Sequence, residues 1–213
     1  GDTVVVGAPG EDSSTTGVNS TANESSSRSG AAYVFTRSGG AWTQQAYLKP
    51  AAVGTSQADD EFGVSVAVSS DTVVVGARGE ASSTTGVNST ADELASGSGA
   101  AYVFTRSGGA WTQQAYLKPA AVGTTQAVDS FGWSVAVSGD TVAIGAPTED
   151  SSTTGINSTA DELASNSGAA YVFTRNGGVW TQQAYLKPAA VGTTQAFDEF
   201  GISVAVSGDT VAV

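Results

Sequence analysis

The sequence contains no cysteine, no histidine and no methionine, and only five prolines among its 213 residues. Without cysteine there is no disulfide framework and no thiolate chemistry, although exported proteins also do without disulfides. Without histidine the usual general base and most transition-metal sites are excluded. Basic residues are scarce too: eight Lys and Arg stand against 20 Asp and Glu, for a formal charge of −12. Such a surface repels phosphate backbones and anionic lipid, so nucleic acid and membrane insertion are poor prospects. The acidity serves either solubility or cation binding. No apolar run approaches the ~18 residues of a membrane span, and no secretory leader is visible. The sequence opens in mid-repeat on Gly1-Asp2-Thr3-Val4, which reads as a segment of a longer or processed polypeptide.

What the chain has in abundance is glycine, 27 residues of it, and repetition. Phe62, Phe131 and Phe200 are 69 residues apart, and Asp2, Asp71, Asp140 and Asp209 keep the same period. A fixed period of this length is the signature of a repeat architecture. The stretch from Phe131 to Pro147 sets the pattern. Trp133, Val135 and Val137 alternate with polar neighbours, Ser138-Gly139-Asp140 follows, and Val142 to Ile144 lead to Gly145-Ala146-Pro147. Period two on either side of a Gly-Asp pair predicts a tight hairpin, with Gly139 at the positive-φ position of a type II′ turn. Pro147 has no N–H to give, so the second strand leaves the ladder there.

The Phe-Gly opening and Gly-Ala-Pro ending resemble the FG-GAP repeat of integrin α-chain β-propellers and of many bacterial secreted repeat proteins. The resemblance implies a ring of blades with the Phe-Gly strand innermost. The residues agree: Ala31 to Arg37 forms a third strand, Gly39-Gly40 a second turn, and Ala41 to Pro50 a fourth strand whose Gln44 and Gln45 suit an exposed edge. The expected fold is all-β, made of β-propeller blades that are four-stranded antiparallel meanders. Three 69-residue repeats, at about 2–70, 71–139 and 140–208 with 209–213 opening the next, form part of a larger ring or assembly. Ile202 to Ser207 matches the missing inner partner of Thr3 to Gly7. The Trp42, Trp111, Trp180 and Tyr33, Tyr102, Tyr171 sets read as blade-to-blade packing rather than a stacking platform. Trp133, where the other copies have Val64 and Ile202, reads as local filling of the core or central channel.

Integrin-type propellers hold calcium in an acidic loop between the first two strands of a blade. Here that connection is only Ser69-Ser70-Asp71 or its copies, too short to wrap an ion with six to eight oxygens. Oxygen-rich positions remain in the long loops 10–30, 79–99 and 148–168. Glu11, Asp12, Asn19, Glu149, Asp150 and Asn157 are therefore the candidate calcium ligands, and the second copy, with Ala81 in place of Asp, is incomplete. Asp60, Asp129 and Asp198 precede each Phe-Gly, either as turn residues bonding their own backbone or as metal ligands. Thr90-Ala91-Asp92-Glu93 and its copy at Thr159 fit a capping box, predicting a helical turn that carries Leu94 or Leu163 inward. The first copy, Ala22 to Arg28, lacks it and is expected to be looser. The Asn19, Asn88 and Asn157 sequons are formal glycan acceptors.

Near-identical repeats do not bring different residues to one point, so no enzyme is expected. The expected function is an extracellular or cell-surface propeller that binds a protein or glycan, or mediates adhesion, through its long loops. The alternative is a structural repeat protein building a surface layer or filament by head-to-tail association. Either way a homo-oligomer or a segment of a longer array is expected, because three blades leave two apolar faces open.

Overall fold

The structure, a computed structural model, describes residues 1–51, 57–120, 126–189 and 195–213. Much of the connection expected between blades, such as 120–130, lies outside those residues. The strands are β1 (Thr3–Ala8), β2 (Ala31–Ser38), β3 (Ala41–Leu48), β4 (Ser65–Ser69), β5 (Thr72–Ala77), β6 (Ala100–Ser107), β7 (Ala110–Leu117), β8 (Ser134–Ser138), β9 (Thr141–Ala146), β10 (Ala169–Asn176), β11 (Val179–Leu186), β12 (Ala205–Ser207) and β13 (Thr210–Ala212). Among the described residues there is no helix. The all-β, four-stranded reading holds: β4-β5-β6-β7 and β8-β9-β10-β11 are antiparallel sheets in sequence order. They are flanked by a three-stranded sheet, β1-β2-β3, and a two-stranded one, β12-β13. Each full sheet begins at a Phe-Gly strand, so the sheets straddle the sequence period at Asp71 and Asp140.

Both turn predictions hold. Ser138 pairs with Thr141, and Gly139 between them has φ 57°. Within one chain, Ile202 to Ser207 contributes β12, which pairs with β13, while among the described residues β1 is hydrogen-bonded to β2 alone. No sheet closes on another among the described residues.

The Phe-Gly and Gly-Ala signatures mark where consecutive sheets touch backbone to backbone. The amide of Gly132 donates to the carbonyl of Gly145 within one sheet (3.1 Å). Its own carbonyl lies against Gly76 of the preceding sheet, where an added Cβ would come within 1.9 Å of the Gly132 oxygen. Phe131 bridges back to Gly99 in the same way. Only glycine admits this approach.

Period two divides every strand between two neighbours. Val73 and Val75 join Ala32, Val34, Leu48 and Phe62 in one buried cluster. Val74, between them, faces the other way and joins Val142, Ile144 and Tyr171 in the next. The core is thus a series of layers between sheets. Tyr102 and Tyr171 are buried in those layers and pack edge-on against Phe62 and Phe131. That bears out the packing reading for Tyr102 and Tyr171, and the buried Trp111 and Trp180 agree, whereas Trp42 is exposed. Trp133 is only half-buried and lies under the Arg78 guanidinium at 4.5 Å. Arg78 stands where the other copies have Pro9 and Pro147, so two departures from the repeat meet in one cation–π contact.

Candidate functional site

In each meander the hairpin turns lie at one end, and the long loops leave the other together with the connection to the next sheet. Order in the long loop starts from a lysine. Lys118, at the end of β7, is fully buried, and its Nζ donates to Glu80 Oε2 (3.1 Å), Ser98 Oγ (2.7 Å) and the Gly99 carbonyl (2.7 Å). Glu80 also accepts from the Tyr116 hydroxyl (2.9 Å) and the Ser82 amide (3.1 Å). Lys187 with Glu149 and Tyr185, and Lys49 with Glu11 and Tyr47, repeat the arrangement. Burial holds the Lys118 ammonium below its ordinary range and the Glu80 carboxyl above its own, while their mutual attraction opposes both shifts. A buried ion pair is stable only when its remaining hydrogen-bonding capacity is satisfied, and here the loop backbone satisfies it. The loop is therefore fixed to the sheet it leaves.

Further along, the loop covers the outer edge. Asn88 donates its amide to the Tyr116 carbonyl (2.8 Å), and its Oδ1 accepts from the Tyr116 amide (2.9 Å). Asn19 and Asn157 do the same on Tyr47 and Tyr185. The lower half of each outer strand is thereby shielded from edge-to-edge pairing.

The candidate calcium ligands are thus placed in two groups. Glu11 and Asn19 converge on Tyr47, and Glu149 and Asn157 on Tyr185, but each carboxylate already holds a lysine. Asp12 and Asp150 turn elsewhere, accepting from the amides of Arg28 and Asn166 (2.7 Å each). Among the described residues, no three acidic side chains converge as a cation site.

The helical turn expected at Thr90 to Glu93 is not formed. Asp92 Oδ1 accepts from the amides of Ser83 (2.8 Å) and Leu94 (3.1 Å), tying the loop to itself in place of a cap. Leu94 and Leu163 consequently point into solvent. The first copy is not looser, because Asn23 does the work of Asp92, accepting from Ser14 (2.9 Å) and Ser25 (3.1 Å).

Asp60 and Asp129 are buried where one sheet meets the next. Burial first, then Glu80 and Glu93, push the Asp60 carboxyl up to about 8, against the pull of Lys49. Burial with Glu149, Glu162 and Asp150 does the same to Asp129, also to about 8. Beside Asp60, Glu61 pairs with both Arg28 and Arg78. Asp198, which is followed by the two-stranded β12-β13 sheet in place of a four-stranded one, is exposed.

Sequence reasoning missed the latch between blades. A bulge leaves Gln45 unpaired in β3, and its Oε1 accepts from Trp111 Nε1 (2.8 Å) and Arg106 Nη1 (3.1 Å) of the next sheet. Gln114 does so for Trp180 (2.8 Å) and Arg175 (3.0 Å). A bulge re-aims a side chain in this way. Each arginine also pairs with the turn aspartate of its own sheet, Asp71 or Asp140. At the hairpin end, a cavity of about 550 Å³ lined by Asp2, Val68, Ser70, Asp71 and Arg106 holds one of these pairs.

A family model described as the FG-GAP repeat matches residues 42–104 and 111–173, more than half of the chain. The chain belongs to the FG-GAP repeat family. Each match runs from the outer-strand tryptophan of one sheet, through the Phe-Gly and Gly-Ala contacts, to the third strand of the next. FG-GAP repeats are typically non-enzymatic and typical of extracellular or surface proteins. No curated protein matches the chain. Among the described residues, no helix is long and apolar enough to cross a membrane.

Proposed function

We propose that this FG-GAP protein is a non-enzymatic, extracellular or cell-surface propeller that binds a protein or glycan, or mediates adhesion, through the loop end of its blades. The observation that carries this reading is the anchoring of each long loop by a buried lysine. Loops of about twenty residues are usually mobile or functional, and these are held on a rigid scaffold at a repeated spacing. A preorganised surface binds with less loss of conformational freedom. The test is a glycan and matrix-protein array probed with the whole chain. Saturable binding, lost when loop 79–99 and loop 148–168 are replaced by short Gly-Ser links, supports it; no saturable binding on either array removes it. Calcium enters this reading only by displacing a lysine from Glu11 or Glu149, or at Asp12 and Asp150 outside the anchor. Titration of wild type against Asp12→Ala with Asp150→Ala distinguishes the two.

A second reading, head-to-tail association, is favoured by the exposure of Trp42, Val4 and Val6 on β1 and β3, whose equivalents in the next sheet are buried. Gln183, on the far side, is the unmatched half of the same latch. Light scattering across concentration tests it: a monomer at every concentration rejects it.

A further inference from the structure

The few differences between nearly identical repeats concentrate meaning at the loop end. Leu94 and Leu163 are 80% and 79% exposed, and Val128 and Phe197 are 64% and 70% exposed. The structure brings the segments that carry them together in pairs. The Val128 amide donates to the carbonyl of Ser96, two residues past Leu94 (2.9 Å), and the Phe197 amide donates to Ser165, two past Leu163 (2.9 Å). In the first repeat the same positions are polar, Ser25 and Asp59. Val128 lies between two complete sheets, so its exposure does not come from an open end of the array.

The backbone makes the choice of residues stranger. Asp59, Val128 and Phe197 all sit in the left-handed region, at φ 64°, 70° and 66°. Aspartate tolerates that region, whereas a β-branched or bulky residue there is a genuine outlier. Strain of this kind clusters at sites of function. Two repeats thus hold large apolar side chains in solvent, on a strained backbone, where the first repeat has an unstrained polar solution.

The rim of each pair is acidic: Asp92-Glu93 precede Leu94, Asp161-Glu162 precede Leu163, and Asp198-Glu199 follow Phe197. Hydrogen bonds from Ser83 and Leu94 hold the Asp92 carboxyl below its ordinary range, and against the opposing effect of burial those from Ser152 and Leu163 do the same for Asp161; the lysines nearest them, Lys118 and Lys187, are buried and paired. Apolar contact inside a charged rim is the anatomy of a protein interface. We propose that Leu94, Val128, Leu163 and Phe197 form a stepped apolar ridge that docks a protein surface of complementary chemistry, an apolar stripe bordered by lysine and arginine. This inference rests on the loop-end reading above and names the partner's chemistry.

The test uses the whole chain and a fluorescent amphipathic peptide of leucine and lysine, with a leucine-glutamate counterpart as control. The variant carries Leu94→Ser, Val128→Asp, Leu163→Ser and Phe197→Asp, the residues the first repeat already accommodates. A second variant carries the two serine substitutions alone, which leave the backbone strain untouched. The leucine-lysine peptide is expected to bind wild type saturably and the fourfold variant about tenfold more weakly or worse. The variant is also more acidic, so a loss cannot come from weakened attraction for lysine. The serine pair is expected to fall between them. Equal affinity for wild type and both variants overturns the proposal, as does equal binding of the leucine-glutamate peptide. Wild-type binding to phosphatidylglycerol vesicles that the variant loses assigns the ridge to a membrane instead. Self-association lost in the variant assigns it to a second copy. Array binding that the fourfold variant keeps overturns the ridge while leaving the loop-end function standing.

Discussion

Residues 31–48 and 100–117 are the same eighteen amino acids in two environments. In the second segment both faces are covered, and Trp111 is 4% exposed; in the first, one face is open, and Trp42 is 46% exposed. Both segments form the same two strands with the same bulge. The comparison separates what a blade does alone from what its neighbour adds. Strand pairing, turns and the lysine anchor are internal to each sheet. Burial of the tryptophan, the glutamine latch and the close approach of Gly76 to Gly132 exist only between sheets. Stability in such arrays is a sum of repeat and nearest-neighbour terms, and here the neighbour term rests on identifiable atoms.

The two largest effects are expected at the lysine anchor and at the glycine contact. Gly76→Ala puts a Cβ 1.9 Å from the Gly132 carbonyl, so one backbone has to shift and a loss of about 3 kcal/mol is expected in a denaturant melt. The anchor belongs to one sheet rather than to a junction. Lys118→Met leaves Glu80 buried without its cation and is expected to cost about 3–5 kcal/mol. Lys49→Met is expected to cost less, because the Glu11 side chain is more open to water than that of Glu80. Equal costs would break the distinction.

The junction carboxylates predict a pH dependence. Asp60 and Asp129 hold their protons in the folded chain up to about 8, but an unfolded aspartate ionises near pH 4. The folded state therefore binds more protons across that window, and stability falls as pH rises from about 4 to about 8. A melting temperature that declines over this range in wild type, and less steeply in Asp60→Asn with Asp129→Asn, is expected. Identical slopes would place the titration elsewhere. The smallest effect is the latch: Gln114→Ala is expected to cost about 1 kcal/mol, and Gln183→Ala, at the uncovered end, within about 0.5 kcal/mol of nothing.

Local pattern made the blade legible, because period two and Gly-Asp or Gly-Gly turns are written in neighbouring residues. The family signature was legible for the same reason. The anchor was not. Lys118 and Glu80 lie 38 residues apart, and nothing local says that a lysine after Tyr-Leu is buried. The available signal was its recurrence, in phase with Glu11, Glu80 and Glu149, in an otherwise lysine-poor chain. Leu94 was misplaced because Thr-Ala-Asp-Glu satisfies a capping pattern, yet Asp92 spends its carboxylate on Ser83 instead. The latch escaped because a bulge that turns Gln45 toward another sheet has no signature beyond a polar pair in an edge strand.

Amide hydrogen exchange by NMR, on dilute protein, tests the neighbour term most directly. Segments 31–48 and 100–117 share one sequence and so have nearly the same intrinsic exchange rates; any difference in protection comes from what covers them. Slower exchange throughout 100–117 than in 31–48 is predicted, with the widest gap around Trp111 and Trp42. Equal protection in the two segments would contradict the account, showing that a blade holds itself together without its neighbour.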